Sequence, residues 1–423
     1  MTGNMTDMQH DLELSTSQRT SGFDDARLKR IEAYLDDRYI RPGLLPHAQL
    51  LVSRDEEIVS FFSLGEAQAD GEALAEDALF RIASMTKPVT SVAFMMLVEE
   101  GRVALDTPVH AILPEFADMR VRVSGGEDGA PFLTELPDAP MRMIDLLRHT
   151  SGLTYSFQQQ SPIDAAYATQ KLDVFHQLRS SDEYIAALAA LPLEFSPGAS
   201  WNYSVATDVL GIIIERLSGL SLAEFFASCI FAPLRMDSTF FEVPQDHQPR
   251  LADAWQIDGQ GVRTLYDRGE SSRWRVPLKS YSGGGGLVSS THDYHRFCRM
   301  LLRGGELDGA RLLSPKTIAL MTSNHLPGGG DLAGASRSMF SESQNAGIGF
   351  GLGFAVTQNP VTAMLPGSAG EYYWGGMLST FFFVDPVERI IAVFMTQVMP
   401  SSAISIRREL KTLIYAALAH SRA

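Results

Sequence analysis

Strand patterns lie near both ends of this chain, and a long stretch of helical patterns separates them. Residues 48–65 read as two strands that turn at Arg54 to Glu57. Strand patterns return at residues 283–290, 349–356, 372–385 and 389–397, and a closing helix is predicted over residues 402–420. Strands at both ends with helices between them predict one sheet that is built from both ends of the chain.

This pattern predicts three parts and an α/β (α+β) fold class. We expect a flexible N-terminus at residues 1–22, which is polar and lacks periodicity. Residues 23–105 and 281–423 are predicted to form the sheet domain, in which helices flank an antiparallel sheet. Residues 106–280 are predicted to form an inserted, mostly helical domain. A chain of 423 residues with 45% hydrophobic residues can bury a core large enough for two such lobes.

Charge and composition exclude several classes of function. The formal net charge of −15 opposes contact with nucleic acid or an anionic membrane, because both require clustered basic residues. Two cysteines, Cys229 and Cys298, provide neither a disulfide framework nor metal-ligand spacing, so we expect no zinc site. The acidic N-terminal residues do not resemble a signal peptide, and no apolar run reaches the ~18 residues of a membrane span. We therefore expect a cytoplasmic protein.

The most apolar predicted helix, over residues 84–100, begins with a serine and a lysine. Only 6 of the 35 basic residues are lysines, so Lys87 is an unusual choice of cation in this chain. Ser84 and Lys87 share one helix face, because residues i and i+3 are neighbours. Burial favours the neutral form of a lysine, which arginine cannot adopt in a protein. The pair can therefore exchange a proton.

A Ser-x-x-Lys pair is expected by chance about once in a chain of this length, so alone it is a weak motif. Here it is the only such pair, and the Gly-x-Ser-x-Gly motif of the usual serine hydrolases is absent. Two further segments are candidate parts of a functional site. A Pro-Gly turn brings Tyr203 to the start of a new apolar helix, and glycines 375 and 376 interrupt a strong strand, which indicates close backbone approach.

Taken together, these motifs resemble the serine β-lactamase-like hydrolases, specifically the class C β-lactamases and the family VIII carboxylesterases. "Ser84-Met-Thr-Lys87" resembles their Ser-x-x-Lys, "Tyr203-Ser-Val205" their Tyr-x-Asn, and "Trp374-Gly-Gly376" their Lys-Thr-Gly. The resemblance extends from about residue 25 to the C-terminus. It implies a serine β-lactamase/penicillin-binding-protein-like fold.

Two departures from the β-lactamase pattern favour an esterase. Val205 replaces the asparagine that holds the substrate amide, and Trp374 replaces the lysine near the substrate carboxylate. Family VIII esterases resemble this chain at both positions. The resemblance therefore implies hydrolysis of a neutral, short- to medium-chain ester, and weak β-lactamase activity is compatible with it.

The resemblance also implies the roles of the site residues. Ser84 is the expected nucleophile, Lys87 and Tyr203 share its proton, and the backbone N–H groups of Ser84 and Met377 form the oxyanion hole. The expected substrate-binding residues are Tyr155, Val205, Trp374, Gly375 and Gly376. The expected partner is a small ester, and the implied mechanism requires no metal or organic cofactor. The alternatives are a β-lactamase or D-amino-acid peptidase, an acyltransferase of the same fold, and a non-catalytic ligand sensor.

Overall fold

The hairpin near the N-terminus forms as the sequence predicts, with β1 at His47–Arg54 and β2 at Glu57–Gly65. The computed structural model describes residues 22–69, 71–173, 178–337 and 345–422. The N-terminus that we expect to be flexible is residues 1–22, and residues 1–21 lie outside the described residues. Every residue of β1 is buried, because strands flank both of its edges and helices cover both of its faces.

The remaining strands are β3 Leu79–Arg81, β4 Val121–Gly125, β5 Phe132–Glu135, β6 Ala254–Ile257, β7 Arg263–Asp267, β8 Val288–Ser290, β9 Glu306–Leu307, β10 Ala310–Arg311, β11 Ile348–Phe350, β12 Ala355–Thr357, β13 Tyr372–Gly375, β14 Phe381–Asp385, β15 Ile390–Met395 and β16 Val398–Met399. The α-helices are α1 Asp25–Leu35, α2 Thr86–Glu99, α3 Met143–Leu147, α4 Pro162–Gln170, α5 Ser181–Ala189, α6 Ala206–Ser218, α7 Leu222–Phe226, α8 Ala232–Leu234, α9 Thr291–Leu302, α10 Pro315–Met321, α11 Leu332–Ala335, α12 Pro360–Ala363 and α13 Ile406–Ala416.

Seven strands form the main sheet in the order β11-β12-β13-β14-β15-β1-β2. All of its neighbours are antiparallel, and β1 pairs with β15 so that Leu51 lies opposite Val393. The sheet thus joins strands from both ends of the chain, and the predicted antiparallel sheet with flanking helices is confirmed.

Helices cover both faces of this sheet. Apolar residues of α1 and α13, among them Ile31, Leu35 and Leu410, pack on one face of β1, β14 and β15. On the other face, α9 contacts β15 and β1, and the larger core beyond it contains α2 and α6. The buried helix α2 packs directly against α6. This packing places the N-terminal end of α2 beside the end of β13.

Several local predictions differ from the structure. Residues 349–356 were expected as one strand but form parts of two, β11 and β12, which pair with each other. Residues 372–385 likewise divide into β13 and β14, because the chain turns at residues 376–380. The segment 106–280 contains two hairpins, β4–β5 and β6–β7, beside its helices. The division of the chain at residues 105 and 281 stays a prediction.

Among the described residues, no single helix has the length and apolar character needed to cross a membrane. One bent pair, Ala206–Ser218 with Leu222–Leu234, passes that test by length and composition, with an angle of 81° between its two helices.

Candidate active site

Ser84 lies in a single 3-10 turn, Ala83–Met85, immediately before α2. The turn begins with Ala83 in the left-handed region, at a φ of 45°, a conformation that costs a non-glycine residue about 1–2 kcal/mol. Strain of this kind is concentrated at functional sites. It changes the direction of the chain between β3 and α2, and Ser84 lines a large cavity as a result.

Lys87 lies in the first turn of α2 and is almost completely buried, with 1% of its surface exposed. Its Nζ donates to Ser84 Oγ at 3.1 Å and to the carbonyl oxygen of Gly284 at 2.7 Å. The same nitrogen lies 4.6 Å from the centre of the Tyr203 ring and 5.3 Å from that of Tyr155. The predicted Ser-Lys pair is therefore within hydrogen-bonding distance, and Tyr203 lies beside it.

Tyr203 stands just before α6, and its backbone is held by the loop that carries Tyr155. Gln158 Nε2 donates to the Tyr203 carbonyl oxygen at 2.6 Å, and the Val205 N–H donates to the carbonyl oxygen of Thr154 at 3.2 Å. The hydroxyl of Tyr203 accepts a hydrogen bond from Trp374 Nε1 at 3.4 Å. Strand β13 thus contributes a neutral donor to the phenol oxygen.

His149 is a neutral neighbour of Lys87 and Tyr203. His149 is buried and its ring lies 5.0 Å from that of Tyr203, in an edge-on arrangement. Burial, with a smaller contribution from the charge of Lys87, lowers the pKa of His149 well below its ordinary value. This histidine is therefore uncharged near neutral pH and packs against the site without adding charge to it.

The turn after β13 lies against the turn that carries Ser84. A Cβ on Gly376 would lie 2.5 Å from the carbonyl oxygen of Ile82, so only glycine allows this approach. The Gly376 N–H donates to the carbonyl oxygen of Thr380 at 2.9 Å, which closes the turn. Within the described part of the chain, the next N–H, that of Met377, donates to no protein acceptor.

A cavity of about 1050 Å³ opens above these groups. Its lining includes seven residues that the sequence identified: Ser84, Tyr155, Tyr203, Trp374, Gly375, Gly376 and Met377. Two other residues that the sequence identified, Lys87 and Val205, do not line the cavity. Lys87 lies beneath the floor, and Val205 is fully buried at the start of α6 and does not reach the cavity.

The cavity also has walls that the sequence did not identify. These come from the β6–β7 hairpin, from a turn that follows it and from the C-terminal segment around α13, and include Gln256, Tyr266, Arg273, Arg407, Arg408 and Lys411. Arg407 donates to the carbonyl oxygens of Gly376 and Thr380 and so braces the turn beside Ser84. Burial lowers its pKa to about 10. No local motif marks these positions, because only the fold brings them to the cavity.

Among the described residues, no group of three or more histidine, cysteine, aspartate or glutamate side chains could hold a metal ion.

Comparison with known proteins gives a consistent result. A model of the family described as Beta-lactamase matches residues 28–416. The chain is 36% identical over 368 residues to an uncharacterized protein of Mycobacterium tuberculosis (strain CDC 1551 / Oshkosh), which covers 86% of this chain and 88% of the relative. It is 33% identical over 386 residues to esterase EstB of Burkholderia gladioli, which covers 87% of this chain and 89% of the relative.

A solved structure gives the same result at the level of the fold. The structure of EstCE1, described as a hydrolase with promiscuous acyltransferase activity, superimposes with a TM-score of 0.77 at 25% sequence identity. The match covers 94% of this chain and 99% of that one. The similarity therefore includes both the sheet and the segment inserted into it.

Proposed function

Because the chain belongs to the beta-lactamase family and is a family VIII esterase-like member of the serine β-lactamase fold, we propose that it is a serine carboxylesterase acting through an acyl-enzyme on Ser84. The observation that carries the proposal is the contact of 3.1 Å between Lys87 Nζ and Ser84 Oγ at the floor of the cavity. A serine needs such an adjacent base to become a nucleophile.

In the proposed reaction, Ser84 Oγ attacks the ester carbonyl carbon and its proton passes to the coupled pair Lys87 and Tyr203. The carbonyl oxygen becomes an oxyanion that accepts from the N–H groups of Ser84 and Met377. The C–O bond then breaks, and the alcohol leaves with the proton. Water then gives a proton to the same pair and attacks the acyl-enzyme at its carbonyl carbon. The bond to Ser84 Oγ breaks, the pair returns the proton to that oxygen, and the acid leaves.

The substrate we propose is a neutral ester of short to medium chain length. Its support is Trp374, which gives the Tyr203 hydroxyl an uncharged donor at the position where β-lactamases use a lysine. The aromatic rings of Tyr155 and Trp374 line the cavity and suit an apolar acyl or alcohol group. The cytoplasmic location stays a prediction.

The test compares initial rates on p-nitrophenyl acetate, butyrate and octanoate with those on nitrocefin, for the parent and for Ser84→Ala, Lys87→Ala and Tyr203→Phe. We expect ester turnover that each substitution reduces by at least a hundredfold. The matched control is Lys316→Ala, which removes an exposed lysine at the start of α10 and should leave the rates unchanged.

A fluorophosphonate should also phosphonylate the parent at Ser84, with loss of fluoride, so that the mass of the phosphonyl group appears on the parent and not on Ser84→Ala. Ester turnover that survives in Ser84→Ala would contradict the proposal. Faster turnover of nitrocefin than of all three esters would favour the β-lactamase alternative, and an acyl-enzyme that never releases its acid would favour the sensor.

A second candidate is acyl transfer to an alcohol or amine. The observation that favours it is the volume of the cavity, about 1050 Å³, which exceeds what a small ester fills and leaves room for an acceptor beside the acyl group. EstCE1, the structural neighbour, carries such an activity in its description. Transferred product in the presence of an added alcohol, measured by mass spectrometry, would establish it.

A further inference from the structure

A carboxylate that does not line the cavity lies close behind Lys87. Asp208 is in the first turn of α6, five residues after Tyr203. Its Oδ1 accepts a hydrogen bond from the Ser282 hydroxyl at 2.5 Å and one from the Gly284 N–H at 3.1 Å. The side chain is partly buried, and its place in the first turn also suits the positive N-terminal end of the helix dipole.

Gly284 connects this carboxylate to Lys87. Its N–H donates to Asp208, and its carbonyl oxygen accepts from Lys87 Nζ at 2.7 Å. A Cβ on Gly284 would overlap Asp208 Oδ2, so the absence of a side chain allows the close approach. The neighbouring Gly283 packs in the same way, since a Cβ there would lie 2.7 Å from the carbonyl oxygen of Thr207. The glycine run is thus held against α6.

The opposite charges of Asp208 and Lys87 also favour this arrangement. Burial raises the pKa of Asp208, whereas the charge of Lys87 and the hydrogen bonds from Ser282 and Gly284 oppose that rise. The other titratable groups facing this pair are the phenols of Tyr155, Tyr184 and Tyr203, the neutral His149 and the carboxylate of Asp173.

We propose that Asp208 is a positioning residue that acts on Lys87 through Gly284. It holds the carbonyl oxygen that orients Nζ, and its negative charge favours the protonated lysine. The inference rests on the proposed function, because it requires that Lys87 exchange a proton with Ser84. Asp208 does not touch the substrate.

The test is the pH profile of kcat/KM on p-nitrophenyl butyrate for Asp208→Asn. The amide retains an oxygen that accepts from Ser282 and Gly284 but carries no charge, so the neutral lysine forms at lower pH. A tyrosinate at Tyr203 also becomes easier to form when this negative charge is absent. Whether the base is neutral Lys87 or a tyrosinate at Tyr203, we therefore expect the kcat/KM profile of Asp208→Asn to be displaced to lower pH by about one unit. Its KM should stay near that of the parent.

Two further variants make the result unambiguous. Asp293→Asn removes a mostly buried carboxylate on α9, outside the cavity. This carboxylate accepts from the Ser238 N–H at 2.7 Å and from the Thr239 hydroxyl at 2.9 Å. Its profile should match the parent. If Asp208→Asn does not fold, as judged by circular dichroism, Asp208→Ser also removes the charge and should displace the profile in the same direction.

The possible failures are distinguishable. Activity that survives in Lys87→Ala contradicts the proposed function and this inference with it. Activity that is lost in Lys87→Ala, with an undisplaced profile in the folded Asp208 variant, overturns this inference alone.

Discussion

Trp374 on β13 donates its indole N–H to the hydroxyl of Tyr203, 3.4 Å away, and the two rings lie 5.4 Å apart between their centres. The tyrosine precedes α6 in the inserted segment, and the tryptophan belongs to the main sheet. This hydrogen bond therefore joins segments that are 171 residues apart in the chain.

This relationship predicts a specific effect of Trp374→Phe. The ring remains to pack against Tyr203, but the N–H is lost, which corresponds to about 1 kcal/mol or roughly a fivefold lower kcat. Steady-state kinetics on p-nitrophenyl butyrate measure it. Trp255→Phe, at a tryptophan that does not line the cavity, should keep the parent kcat, and equal rates for both variants would argue against a role for this bond.

Gly376→Ala should abolish most of the activity. The added Cβ would lie 2.5 Å from the carbonyl oxygen of Ile82, so the turn that carries the Met377 N–H must move away from Ser84. Loss of one oxyanion donor lowers kcat by about 10²–10³-fold. The control is Gly259→Ala, which adds a Cβ in open space within the β6–β7 turn. Parent-like kcat in a folded Gly376→Ala would separate this turn from catalysis.

Asp267→Asn should destabilise the fold. Arg81, which is fully buried three residues before Ser84, donates through Nε to Asp267 Oδ2 at 2.7 Å and through Nη1 to the Ala252 carbonyl oxygen at 2.6 Å. Removal of the carboxylate leaves a buried cation without its counter-charge, at a cost of about 3–5 kcal/mol.

Urea unfolding measures this change. Glu127→Gln, which breaks the largely exposed pair between Arg122 and Glu127, should cost under about 1 kcal/mol. Similar midpoints for the two variants would show that burial of the first pair has no energetic consequence.

His47 should make the fold sensitive to mild acid. It is fully buried, its Nδ1 lies 2.8 Å from the carbonyl oxygen of Glu66, and burial lowers its pKa from 6.5 to about 4. In the unfolded chain His47 therefore binds a proton below about pH 6.5, whereas in the folded chain it binds one only below about pH 4. Stability falls as the pH falls through this window, by about 3 kcal/mol from this residue.

Unfolding free energies at pH 7, 5.5 and 4 test this prediction. His47→Gln should show a shallower decline than the parent between pH 6.5 and 4. His110→Gln, at an exposed histidine, should retain the parent slope. An unchanged slope in His47→Gln would mean that other groups cause the acid sensitivity.

The strand predictions failed where a turn interrupts an apolar run. Gly375 and Gly376 interrupt residues 372–385, but glycines in a strand also indicate close backbone approach, so the pattern alone does not reveal the turn after Gly375. Two short hairpins inside the segment 106–280 were missed for a related reason, since strands of four or five residues give a weak pattern beside strong helices.

The position of Val205 shows a different limit. The sequence motif places it two residues after Tyr203, but the start of α6 turns its side chain into the core, fully buried and away from the cavity. A motif gives the order of residues along the chain. The direction of each side chain follows from the helix that begins there.

The sequence by itself determined the contacts that are local along the chain. Ser84 lies in the 3-10 turn that leads into α2, and Lys87 lies three residues later in the first turn of α2, so their meeting follows from local helical geometry. The tertiary structure decided the contacts between distant segments. Gly284 reaches Lys87 across 197 residues and Trp374 reaches Tyr203 across 171, because the packing of α2 against α6 and beside β13 brings these groups together.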